Sequence, residues 1–360
     1  MSLVQLSIKN VRNLEQCHLK LNPRFNIIEG SNASGKTSLL EAIHLISQVK
    51  SFRTHRINLL IQHSQPDMQV VAQYCDHSNI YHKIGLGRTR SKTKLHLNKE
   101  VIGQSSVLAS LVPLQVITPE SHRLLEDGPK LRRQFLDWGV FHVKHNFLSI
   151  WKDYHRILRQ RNAALRQGKS KEQVISWNSA LIESTAQFHS ERTNYLNALL
   201  PTLQRYIQQL IEIEITVEYQ PGWSKDLSFD EALNNSLEND CQYKHTRVGP
   251  HRADLVMKHH GVAVQASLSR GQQKLLVCAL RLAQIQYLQS CSEQSCLILV
   301  DDLPAELDTI RRKKLVSLLA DTGAQVFVTT TDASLLDLTQ LNLSRSVFHV
   351  EHGNVKEVVY

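Results

Sequence analysis

Hydrophobic positions along this chain follow two different periods. In the first third, Leu3 to Ile8 and Phe25 to Ile28 read as strands flanking a turn-rich stretch. Gln69 to Tyr74, Tyr81 to Leu86 and Lys94 to Leu97 alternate apolar and polar positions as antiparallel strands do. Gly85-Leu86-Gly87, with the basic tip after it, reads as a hairpin connection.

From Pro129 the period becomes helical. Phe147, Ile150, Trp151, Tyr154, Ile157, Leu158 and Leu165 recur at close to 3.6 residues, and a Gly168–Lys171 turn interrupts them. The spacing resumes with Val174, Trp177, Leu181, Phe188, Tyr195, Leu199, Leu203 and Tyr206, and Pro201 either starts a new helix or kinks this one. The aromatics zip two helices into a short hairpin arm. β-like character returns at Glu212 to Glu218 and Asp254 to His259. A helix (Leu275 to Leu288), a buried strand (Cys296 to Val300), a helix (Arg311 to Leu319) and another strand (Gln325 to Thr329) follow. This alternation predicts an α/β fold with a parallel sheet, interrupted by an inserted α-helical arm. The expected division is 1–125 and 246–360 as two parts of one domain, with 126–245 as the arm.

Composition is that of an ordinary globular protein, 42% hydrophobic and 21% charged over 360 residues. No apolar run approaches the ~20 residues of a membrane span. The N-terminus lacks the features of a secretion signal, and the six cysteines form no C-x-x-C pair, so a cytoplasmic location is expected. The net charge of +9 is unevenly placed: 144–171 holds eight Lys/Arg against one acid, a net of +7. Lys152, Arg156, Arg159 and Arg161 are its candidate DNA contacts. Arg88, Arg90 and Lys92, in a stretch free of acids from 77 to 99, form a second candidate set. A solvated helix face and a solvated hairpin are the plainer readings of the two clusters.

The chemistry begins directly after the Phe25 run. Gly30-Ser31-Asn32-Ala33-Ser34-Gly35-Lys36-Thr37 fits G-x-x-x-x-G-K-[ST] at every fixed position. The glycines let backbone N–H groups close around phosphate oxygens, Lys36 reaches the β/γ-phosphates and Thr37 puts its hydroxyl on Mg²⁺. Ser38 opens the apolar helix that follows. A second motif, Leu297-Ile-Leu-Val-Asp301-Asp302, ends an apolar strand in two acids: Asp301 for the metal, Asp302 to polarise the attacking water. A third, Leu268-Ser269-Arg270-Gly271-Gln272, puts a capping serine at the start of another helix, a second phosphate-binding surface suited to close over nucleotide held by another subunit.

That third string resembles the L-S-G-G-Q signature of ABC-type ATPases, with Arg270 in place of the first glycine. Ala305-Glu306-Leu307-Asp308 resembles their D-loop, and Gln115 lies near their Q-loop position with a catalytic role. Thr329-Thr-Thr-Asp332 stands where many relatives carry a switch histidine, which makes Thr331 or Asp332 the candidate sensor; His349 and His352 are read as too far along the chain.

Taken end to end, the chain resembles the RecF family, bacterial recombination and repair ATPases of the SMC/Rad50 group. The resemblance rests on Lys9-Asn-Val-Arg-Asn13, Gly30 to Thr37, Pro119 to Pro129, Arg132 to Asp137, Gly249 to Asp254, Leu268 to Lys274 and Asp301 to Asp308. It implies ATP and Mg²⁺ as cofactors and a homodimer closed on two ATP molecules. It also implies weak, DNA-stimulated hydrolysis used as a release switch. Expected partners are DNA at single-strand gaps and single-/double-strand junctions, RecR and RecO, and RecA indirectly; replication restart and SOS induction follow. Arg12 and Asn13 become nucleotide contacts by the same resemblance. The rivals are a transporter-type ATPase subunit and a scaffold in which ATP is structural.

Overall fold

The computed structural model describes residues 2–292, 294–302, 306–336 and 343–358. The chain divides into two compact units, 1–121 with 274–360, and 122–273. The strands of the first unit are β1 (Ser2–Val11), β2 (Leu14–Lys20), β3 (Phe25–Glu29), β4 (Asp67–Cys75), β5 (Tyr81–Thr89), β6 (Thr93–Leu97), β7 (Glu100–Ile102) and β8 (Leu114–Ile117). After the second unit, which holds β9 to β11, come β12 (Leu297–Val300), β13 (Gln325–Thr330), β14 (Arg345–Glu351) and β15 (Asn354–Val358).

These strands form two six-stranded sheets, in the orders β2-β1-β4-β5-β6-β7 and β15-β14-β3-β13-β12-β8. The first is antiparallel throughout, as its alternating sequences require. In the second, β14, β3, β13, β12 and β8 run parallel and only β15 is reversed. The unbroken burial of β12 and β13 shows both faces of that sheet covered, which explains their continuous apolar runs. Helix α1 (Lys36–Gln48) joins the two sheets, and α2 (Ser105–Leu111) packs against it. Leu39, Leu40, Ile43 and Ile46 of α1 belong to one core cluster with Leu6, Ile8 and Val70 of the first sheet and Leu299 and Phe327 of the second. Each such side chain contributes roughly 1.5–3 kcal/mol when fully buried, so the helix behind the phosphate-binding loop is fixed from both sides.

Gly85 and Gly87 are not the hairpin connection. They lie inside β5, paired to His96 and Lys94 of β6, and the turn falls at Thr89–Lys92. Neither glycine has a positive φ, so the ladder on both sides of β5 decides their conformation.

The second unit holds the helices α3 (Arg123–Glu126), α4 (Pro129–Val143), α5 (Phe147–Arg166), α6 (Lys171–Ile175) and α7 (Asn178–Leu210). The Phe188 ring of α7 lies 5.6 Å from Phe147 and 5.0 Å from Tyr154 of α5, so the aromatic zip forms as the spacing requires. Pro201 sits inside α7, which runs through it without starting a new helix. Next come β9 (Thr216–Gln220), α8 (Phe229–Asn235), α9 (Leu237–Tyr243), β10 (Asp254–His259), β11 (Val262–Ala263) and α10 (Val264–Ser267). The three strands make a small antiparallel sheet, β11-β10-β9. Pairing of β10 with β9 keeps 246–273 with this unit, which moves the second boundary from 245 to 273. Helix α11 (Arg270–Cys291) then leads back into the first unit, where α12 (Thr309–Asp321) also lies.

One expected DNA contact is corrected here. Arg161 of α5 is fully buried, as is Asp240. Its guanidinium donates to Asp240 at 2.7 Å, Thr246 Oγ1 at 2.7 Å and Asn178 Oδ1 at 3.0 Å. Helical periodicity turns position 161 inward, and the unit satisfies its charge there. Arg161→Ala should destabilise the protein by about 3–5 kcal/mol, because Asp240 is left buried and unpaired. Urea unfolding should show Arg161→Met with Asp240→Leu recovering most of that loss; equal damage in both variants would contradict the pairing.

Candidate functional site

The loop after β3 is shaped by close approaches that only glycine permits. Gly30 has φ 153°, and a Cβ there would stand 2.3 Å from the Val350 carbonyl oxygen of β14. Gly35 has φ 125°, and its Cβ would press on the Asn13 side chain at 3.0 Å. Asn13 braces the loop from the β1–β2 turn: its amide donates to the Ser34 carbonyl at 2.9 Å and its oxygen accepts from Ser38 Oγ at 2.8 Å. Gly35 offers no side-chain cap to α1, and the first turn carries no acid. The first N–H groups of the helix, with its positive dipole end, are therefore left for an anion. Lys36 Nζ donates to the carbonyls of Gly30 at 2.7 Å and Ser31 at 2.9 Å, which holds it in the cradle.

The ends of three parallel strands meet the loop at Asp301. Asp301 Oδ1 accepts from Thr37 Oγ1 at 3.0 Å and from Thr329 Oγ1 at 2.9 Å, and Thr329 Oγ1 accepts the Asp302 N–H at 2.8 Å. Burial raises the Asp301 pKa from its ordinary value, partly offset by the two threonine hydrogen bonds and reinforced by Asp302. The donor set fits Mg²⁺: a hydroxyl and a carboxylate oxygen 3.0 Å apart match neighbouring vertices of an octahedron with bonds of about 2.0–2.1 Å. Asp302 has φ 48°, and its Oδ1 is buried without a hydrogen bond. It lines a cleft of about 1040 Å³ together with Arg12, Asn13, Asn32, Lys36 and Thr37. Ala33, in the left-handed region at φ 64°, also lines it.

The other expected site residues lie as follows. Gln115 is buried in β8, where it accepts from Arg281 at 2.8 Å and donates to Gln284 at 3.0 Å; the structure does not bring it to the cleft. In the second unit Ser269 and Gln272 form a reciprocal cap at the start of α11: Ser269 N–H donates to Gln272 Oε1 at 3.0 Å, and Gln272 N–H to Ser269 Oγ at 3.3 Å. Nothing would obstruct a Cβ at Gly271, so open space lies beside it. Arg270 reaches His122 Nε2 at 2.9 Å. Asp308 caps α12 through the Arg311 N–H at 2.9 Å, and Ala305 lies outside the described residues. Asp332 is spent capping the Ser334 N–H at 2.8 Å. His349, distant in sequence, is brought opposite Glu29 by the parallel pairing of β14 with β3, and its Nδ1 stands 3.5 Å from that carboxylate.

Of the basic residues, Lys152, Arg156 and Arg159 are exposed along α5 at spacings of four and three, hence on one face. Arg90 and Lys92 are exposed at the β5–β6 turn, and Arg90 also lines the cleft. Arg88 is half-buried and donates to Asn58 Oδ1 and Thr93 Oγ1. Two contributors carry no recognisable motif, Arg53 and the 58–65 segment, which the fold delivers to the cleft from remote positions; Thr329, first of the Thr329–Asp332 string, binds Asp301.

A family model described as "RecF/RecN/SMC N terminal domain" matches residues 2–356. The DNA replication and repair protein RecF of Pseudomonas aeruginosa is 42% identical over 99% of this chain and 98% of its own. The chain belongs to the RecF family. The RecF of Pseudomonas putida is equally similar, 42% identical over the same shares. A solved structure of the recombination mediator RecF with ATP, from the RecFOR pathway, superposes with a TM-score of 0.85 at 24% identity, covering 99% of this chain and 98% of the other. An SMC head bound to the C-terminal winged-helix domain of ScpA superposes at 0.61 with 14% identity, covering 99% and 97%. These structures establish the shared ABC-type ATPase head fold.

Asp301 yields a test with a definite sign. A carboxyl whose pKa is raised on folding contributes stability below its unfolded pKa, and that contribution is lost as pH rises through the raised value. Without nucleotide, Asp301→Asn in this RecF-family chain should therefore melt at or above wild type at neutral pH. The margin should close on acidification below the carboxylate range. Mg²⁺-dependent nucleotide binding should be lost throughout. Calorimetric melting across pH, with and without Mg²⁺, reads both.

Proposed function

We propose that this protein is an ATP-gated DNA-binding protein of recombinational repair and replication restart, acting in the cytoplasm. Gly30 to Ser38 hold ATP, with Mg²⁺ between Thr37 and Asp301, and Arg12 and Asn13 complete the contacts. The observation that carries this is the joining of the phosphate loop to the strand-end acid, Thr37 to Asp301 at 3.0 Å, in a chain with end-to-end similarity to RecF proteins. Lys36 neutralises phosphate charge, and the open N-terminus of α1 adds to it. Asp302, unpaired at the cleft wall, positions the attacking water. An aspartate is shorter than a glutamate in that role, which suits a slow switch.

Ser269, Gly271 and Gln272 of a second copy close the γ-phosphate, so ATP joins two chains and its slow, DNA-stimulated hydrolysis releases them. Asp308 contributes at the same interface. Lys152, Arg156 and Arg159, exposed on one face of α5, contact DNA phosphates. The DNA is a single-strand gap or its junction with duplex, and RecR and RecO act with the protein there to help load RecA. Phosphate contacts make binding salt-sensitive and largely independent of sequence. The transporter-type reading has no comparable support, since the relatives that span the chain are named as DNA replication and repair proteins.

Fluorescence anisotropy on a gapped duplex tests this reading. Wild type should bind more tightly with ATP than with ADP, and Lys36→Ala should lose that difference. Arg156→Glu with Arg159→Glu should weaken binding and reduce the salt slope by about 2 while nucleotide affinity is kept. DNA affinity that ignores nucleotide would sink the gating reading.

A further inference from the structure

Behind the cleft, on the buried side of α1, lies a carboxylate that none of the motifs includes. Glu41 stands one helical turn after Thr37 and is fully buried. It is not among the residues that line the cleft. Arg12 grips it with a fork: Nε donates to one oxygen at 3.0 Å and Nη2 to the other at 3.1 Å. Ser51 Oγ donates to the same carboxylate. Arg53 Nη1 lies 3.8 Å from it. The Ser51 hydroxyl in turn accepts the N–H groups of Arg53 at 3.0 Å and Thr54 at 3.1 Å, so one buried anion orders the 51–54 turn as well as Arg12.

The segments it ties together all reach the cleft. Arg12 has φ 58°, a conformation that a side chain resists and that must be held from outside. Its Nη1 donates to the Leu59 carbonyl at 3.1 Å and its N–H to that of Leu60 at 2.7 Å, anchoring the far wall. The next residue, Asn13, is the brace on Ser34 and Ser38 described above. Arg12, Arg53 and Leu59 line the cleft with the phosphate loop. Two guanidinium groups thus share one buried carboxylate, which leaves an excess of positive charge facing the cleft.

We propose that Glu41 is a positioning residue for nucleotide binding. Its carboxylate fixes the Arg12 fork and the Arg53 turn so that both present charge to the phosphates without touching the ligand itself. This rests on the nucleotide reading given above. A carboxylate–guanidinium fork carries direction as well as charge, so the consequence is geometric: without the anion Arg12 is no longer aimed.

Titrating mant-ATP with Mg²⁺ into the full chain tests it. Glu41→Gln keeps the shape and removes the charge, and should raise the Kd about tenfold with the fold retained by thermal melting. Arg12→Ala should raise it by a similar factor. Because Glu41 works through Arg12 and Arg53, Glu41→Gln in an Arg12→Ala, Arg53→Ala background should add no more than about twofold. Wild-type affinity in Glu41→Gln would overturn the proposal, and so would a full additional tenfold loss in the triple variant, which would mean packing alone. If Glu41→Gln does not fold, Arg12→Lys keeps the charge and breaks the fork; it should show the same loss, and unchanged affinity there would be equally fatal. A wild-type chain that fails to bind mant-ATP overturns the nucleotide reading and this inference with it, whereas a binding wild type separates the two.

Discussion

Asp301 accepts hydroxyl hydrogen bonds from the first turn of α1 and from the end of β13, and its own N–H is tied to β8. Around this one carboxylate the sheet, the phosphate loop and the strand-end acids are brought into register. The arrangement depends on parallel strands, because only then do β3, β12 and β13 deliver their C-terminal ends, and the loops after them, to the same edge. Burial disfavours the ionised form of this acid and raises its pKa. A divalent cation would reverse that shift. On the proposed reading, the site awaits a ligand that brings both a metal and phosphate oxygens.

The core that holds this edge is two-sided. α1 is buried by an antiparallel sheet on one side and the parallel sheet on the other, so the phosphate loop starts from a helix with little freedom to move. Asn13 and Glu41 extend this rigidity outward. Asn13 pins the loop to the β1–β2 turn, and Glu41 pins that turn and the 51–54 segment to the helix. The turns of the antiparallel sheet, β1–β2 at Arg12 and Asn13 and β5–β6 at Arg90, thereby line one side of the cleft.

Much of this was legible in the sequence because its motifs are local. Gly30 to Thr37 and Asp301-Asp302 each carry their chemistry within a few residues, and strand ends place them together. Ser269 declared itself as a helix cap, and it is one. What escaped was long-range. Thr329 Oγ1 reaches Asp301 only through the pairing of β12 with β13. His349 looked remote until β14 paired with β3 beside Glu29. Arg161 shares the basic run of α5, yet it lies about 200° around the helix from Arg159, and the helical period turns it inward to Asp240. Gln115 sits at the right distance in sequence, but Arg281 and Gln284 of α11 hold its side chain inside.

On the proposed reading the cleft is half of a site, and a second copy supplies Ser269, Gly271 and Gln272. Light scattering on the purified chain with Mg²⁺ tests this most directly. Slowly hydrolysed ATP analogue should double the mass from about one chain to two, while ADP or no nucleotide should leave the monomer. A mass that is the same in all three conditions would contradict it.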